Sequence, residues 1–154
     1  MESSNSPQAA LQTIEQGSVT AWTKYPPTPR HYYAVLGAAE GVLASMGPLG
    51  RIHPALAVLA AISAALAGGA VFGAYRKQRG QMPSRGMPAE LRRPVVVAIA
   101  LFLMGYGALV ALSFTPLWYA NPLLGACFAH VGGDLYERRY RAAADAAEQR
   151  VGLQ

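Results

Sequence analysis

From residue 54 to 75 the chain reads PALAVLAAISAALAGGAVFGAY, twenty-two positions without a charge, and from 94 to 114 it reads PVVVAIALFLMGYGALVALSF, again without one. At 1.5 Å per residue about 20 apolar residues cover a 30 Å hydrocarbon core, so each run predicts a transmembrane helix. Proline opens both, a residue tolerated at the first helical position because its missing N–H would find no intrahelical acceptor there. A weaker apolar run begins at Tyr32 and Tyr33, whose rings suit an interfacial aromatic belt, and contains one charge, Glu40. It predicts a first span over about residues 32–49, ending at a turn in the GPLG of residues 47–50.

The pattern is less regular at the two ends. After LWYANP, Asn121 before Pro122 makes a good helix start, but the stretch from Pro122 to Gly133 has only twelve residues, too few to cross. Continuation through Gly132 and Gly133 into DLYERRY, with arginines reaching out to headgroups, is the expectation, and gives a fourth span over about residues 117–137. The alternative is a separate helix begun by Asp134 with Glu137 as its capping partner. In the tail, Glu137 and Arg141 form a favourable i,i+4 pair. At the other end residues 7–20 allow a short surface helix with Ser6 as N-cap, weakened by Gly17 and its β-branched neighbours. Pro26, Pro27 and Pro29 keep the next connector extended. The expected fold class is therefore an all-α integral membrane protein, a four-transmembrane-helix bundle (32–133) flanked by a cytoplasmic N-terminal segment (1–31) and a cytoplasmic helical tail (134–154).

Charge settles the expected orientation. Only 14% of residues are charged, against about 25% in a soluble domain. Of the 13 lysines and arginines, all but Arg51 fall in the N-terminal segment, the loop 76–93 or the tail. Four crossings put these three on one side, and the positive-inside rule makes that side cytoplasmic. The first thirty residues lack the basic start and apolar middle of a cleavable signal, so the first span is expected to serve as its own insertion signal. The basic loop, with Arg76, Lys77, Arg79, Arg92 and Arg93, reads as irregular and as a contact for anionic lipid headgroups, so the net charge of +5 needs no nucleic acid. The single cysteine, Cys127, excludes an internal disulfide.

Small residues mark where helices meet. Ala57, Ala61, Ala65, Gly69 and Gly73 recur every four positions, as do Gly37, Gly41 and Ser45, with a shorter pair at Gly107 and Ala111. In lipid, water expulsion does not drive association, so such ridges are where helices approach closely, within the bundle or in a homo-oligomer or larger membrane complex.

Two polar features remain as candidate sites. Glu40 lies deep in its span, where an ionised carboxylate costs several kcal/mol and calls for a proton, a partner or a wet cavity. It reads as a proton or cation site, or as a structural hydrogen-bond donor between helices. On the fourth helix Cys127, His130, Asp134 and Glu137 share a face if the helix is continuous, and His130 with Asp134 resembles an imidazole oriented by a carboxylate. No metal site and no cofactor is expected, since no second histidine stands at i+3 or i+4 from another.

A lone glutamate in the first of four short helices resembles the arrangement in small multidrug-resistance transporters, and that resemblance implies proton and cation binding at Glu40. It rests on Glu40 and the helix count; the basic loop, the tail and the charge bias depart from that family. With no phosphate-binding glycine loop or nucleophile elbow in the chain, the expected role is an accessory or structural subunit of a membrane complex. The alternatives are a small proton- or cation-coupled carrier using Glu40, and a membrane enzyme on a lipid or isoprenoid with Glu40 as acid and His130–Asp134 as base.

Overall fold

The two uncharged runs form the two longest uninterrupted apolar helices, α4 (Pro54–Arg79) and α5 (Ala89–Leu112), both long and apolar enough to cross a membrane. They belong to a computed structural model that describes residues 7–24, 28–79 and 87–152. Among these residues all regular structure is helical: α1 (Pro7–Thr23), α2 (Arg30–Ala44), α3 (Met46–Ile52) and α6 (Asn121–Arg150) complete the set, with a 3-10 turn at Trp118–Ala120. The N-cap role assigned to Ser6, the prolines at 26 and 27, and most of the loop's interior, 80–86, lie outside the described residues. The loop's flanks are helical, Arg76, Lys77 and Arg79 continuing α4 and Arg92 and Arg93 belonging to the first turns of α5.

The first apolar run is not a single helix ending in a turn. It breaks at Ser45, and the GPLG expected to turn lies inside α3. Pro48 explains the break. A helix would bond the Ala44 carbonyl to the amide of residue 48, and proline has none. The Ser113 hydroxyl donates to that carbonyl instead, at 2.6 Å, while the Ser45 amide keeps the Gly41 carbonyl at 3.2 Å and shares its proton with that of Val42 at 3.0 Å. The Ser45 hydroxyl lies 2.9 Å from the Gly41 carbonyl and 3.0 Å from that of Trp118.

α6 runs unbroken through Gly132 and Gly133, so residues 134–150 continue the same helix and the boundary drawn at 133 has no counterpart in secondary structure. Asp134 is therefore a mid-helix residue, paired to Arg138 at 2.6 Å, and not a cap. Asn121 opens α6 but does not cap it. Its side chain is fully buried and donates to the Leu109 carbonyl at 3.1 Å and the Ser113 hydroxyl at 2.8 Å, tying α6 to the end of α5.

α2 and α6 form the central pair and run antiparallel. Gly41 lies against Asn121 and Pro122, Gly37 against Gly125 and Ala129, and Gly133 beneath the Tyr33 ring. A Cβ at any of these glycines would strike the opposing helix or that ring, so the close approach exists because they carry none. α4 packs on α2, and α5 packs on α6, where Gly105 lies under the Phe128 ring.

The ridge of Ala57, Ala61, Ala65, Gly69 and Gly73 does not run along the α4 contact. Ala57 is buried and Ala61 half-buried, but Ala65 is exposed and a Cβ at Gly69 or Gly73 would meet nothing within 4 Å. The contact instead follows Ala57, Ala64, Gly68 beside Leu36, and Tyr75 stacked on Tyr32 at 4.4 Å between centroids. At 3.6 residues per turn a strict four-residue repeat drifts about 40° per step, so over four steps it winds about 160° around the helix and leaves its partner.

Beyond the bundle, α1 lies on the last turns of α6. Val19 packs with Ala147 and Val151, and Trp22 with Leu91 and Ala144. This packing carries α1 through Gly17, further than its propensity alone suggests. Arg150 joins three helices, reaching Glu15 of α1 at 2.7 Å and Glu90 of α5 at 2.9 Å.

Candidate functional site

Beside the glycine seam of α2 and α6, a groove opens between α2, α5 and α6. Its volume is 870 Å³, and its wall is apolar apart from Glu40, four tyrosines and Arg139. Glu40 is half-buried on the α2 side, one turn before the break at Ser45. Gly37 and Gly41 flank it at the seam with α6. Its carboxylate forms no hydrogen bond or ion pair with the described residues. Opposite stand Phe102 and Tyr106 of α5 and Phe128 of α6. A carboxylate so placed can hold a proton, a cation or a hydrogen-bond donor brought in from outside the chain.

A second cavity of 780 Å³ is polar and lies at the other side of Tyr33. His130 and Asp134 line it with Thr28, Glu137, Arg138 and Arg141. Glu137 is the anchor of this cluster: Thr28 and Tyr33 both donate to its Oε1, Tyr33 at 3.1 Å, and Arg141 stands 3.9 Å from Oε2. The Tyr75 hydroxyl closes the cluster from α4, 3.1 Å from that of Thr28. The cluster fastens the entry of α2 to α6 and α4.

Continuity of α6 brings His130, Asp134 and Glu137 to one cavity, with Asp134 committed to Arg138 and Glu137 to Thr28 and Tyr33. Glu40 and the His130–Asp134 pair line different cavities, so the acid and base of a lipid-processing enzyme are not assembled around one space. Among the described residues no group of three His, Cys, Asp or Glu side chains is arranged to hold a metal ion. Cys127 is exposed.

The residues missed from sequence are Asn121, Ser113 and the α6 half of the seam, Gly125, Ala129 and Gly133. The last three repeat every four positions, the signal already recognised in α2. Asn121 offered no such signal, because its partners are a serine and a carbonyl eight and twelve residues away.

No family model, no curated protein and no solved structure matches this chain.

Proposed function

We propose that this chain is a multi-pass membrane protein with four crossings and both termini in the cytoplasm, working as an accessory subunit of a larger membrane complex. The observation that carries the reading is the attachment of α4. This 26-residue helix is held along one narrow stripe, while Leu56, Val58, Leu59, Ile62, Leu66 and Phe72 stay exposed. In lipid such a face is covered by acyl chains or by a neighbouring subunit. Support for the orientation comes from the up-and-down course of α2, α4, α5 and α6, which brings both chain ends, through α1 and the last turns of α6, to one end of the bundle.

Purification in a mild detergent followed by native mass spectrometry tests this. A fixed heteromeric partner is expected, retained by the Glu40→Gln variant. A single chain carrying only lipid would overturn it.

The carrier reading is favoured by one observation, the Glu40 carboxylate, which has no partner among the described residues and lines an open 870 Å³ groove. Proton-driven uptake of a lipophilic cation into reconstituted vesicles, abolished by Glu40→Gln, would support it; no uptake by the wild-type chain would refute it.

A further inference from the structure

We propose that the groove between α2, α5 and α6 holds one anionic diacyl phospholipid of the cytoplasmic leaflet, with its phosphate on Arg139. The proposal rests on the membrane reading above. The groove offers 870 Å³, within the range of sites that bury a small molecule, and it is open on one side, so acyl chains can lie along it with part of their length in the bilayer.

The two ends of the groove differ in sign. Gly41 stands level with Asn121 and Tyr33 with Gly133, so Glu40 lies near the start of α6 and Arg139 six residues beyond Gly133. Along α6 that is roughly 25 Å, at 1.5 Å per residue. A molecule entering from the cytoplasmic end meets a guanidinium first and a carboxylate only at the far end. An anionic head is held at Arg139, while the far end of the groove offers no cation, which selects a negative head on a long apolar body. Val95, Ile99, Phe102, Phe128 and Leu135 supply the apolar wall between them.

Arg139 is available for this role. Arg138, Arg141 and Arg150 each face a carboxylate, whereas Arg139 lines the groove without an ion pair to any described residue. Arg92 precedes the lining residues Val95 and Ile99 by three and seven positions, and so brings a second exposed cation to the same helical face at the same mouth. Basic sites between spans on the cytoplasmic side bind phospholipid head groups, each lysine or arginine contributing about 1 kcal/mol, a factor of about five.

The test uses the full chain in vesicles of phosphatidylcholine and phosphatidylglycerol in equal amounts, extracted into mild detergent and weighed by native mass spectrometry. One phosphatidylglycerol per chain is expected to survive extraction. Arg139→Ala should lower its retention about fivefold, Arg139→Lys should keep it, and Val95→Trp should expel it by filling the groove. Arg51→Ala in α3, the same change of charge at the opposite end of the bundle, should have no effect. Equal retention of the two lipids, equal effects of Arg139→Ala and Arg51→Ala, or release of the lipid by inorganic phosphate would each overturn the proposal. Failure of the membrane reading is separable, since alkaline carbonate would then strip the chain from the same vesicles.

Discussion

Ser113 donates its hydroxyl to the Ala44 carbonyl, the one acceptor that Pro48 leaves without an amide. A sequence defect in one helix is thus repaired by a side chain from another, and Asn121 adds to the repair by donating to Ser113. Ser113→Ala removes the donor and leaves a part-buried carbonyl unsatisfied, a cost of about 1 kcal/mol. Pro48→Ala restores an amide to Ala44. The double variant is therefore expected to melt above Ser113→Ala alone in detergent, monitored by circular dichroism; additive destabilisation would show that Pro48 is not the cause of the break.

The glycines divide by what faces them. Gly37→Leu and Gly125→Leu place a side chain into opposing backbone, which cannot swing aside, and are expected to abolish the folded bundle. Gly69→Ala and Gly73→Ala meet open space and exchange a flexible helical residue for a better one, a gain of about 0.5–1 kcal/mol each. Equal Tm losses from the two pairs would mean that α4 has a tight neighbour along that ridge.

These pairs also show what the sequence made legible. The ridges Gly37–Gly41 and Gly125–Ala129–Gly133 are short, so the 40° drift of a four-residue repeat does not carry them off the contact. The longer α4 ridge fails for the same geometric reason that the short ones succeed. Helix type and the two long apolar helices follow directly from period and composition. The α2–α3 break does not, because GPLG reads as a turn unless Ser113, over sixty residues away, is known to stand beside Ala44. Glu40 was legible as a charge within an apolar span; the groove before it is built from α2, α5 and α6 together, which no local pattern encodes.

Arg150 is the link between α1, α5 and α6, and its two carboxylates are unequal. The Glu15 pair is half-exposed and contributes about 0–1 kcal/mol. Glu90 is more enclosed, and its Oε2 is buried without a partner among the described residues. Arg150→Ala is expected to speed amide exchange across α1 and the first turn of α5 while leaving α2 and α4 protected. Uniformly faster exchange would mean that the terminal platform and the bundle unfold as one unit.

The four-crossing reading can be tested by labelling at single cysteines. Cys127 is replaced by alanine, and one new cysteine is placed at Arg51, beside α4, or at Asp145, near the end of α6. The antiparallel course of α2 and α6 separates these positions by the length of the bundle. Even crossings with cytoplasmic termini require that Arg51→Cys in intact cells react with a membrane-impermeant maleimide and that Asp145→Cys react only after permeabilisation. Reaction of both in intact cells would leave the two ends of the bundle on one side of the membrane. The two apolar helices would then lie in a bundle that does not cross, and the positive charges at 76–93 would no longer report orientation.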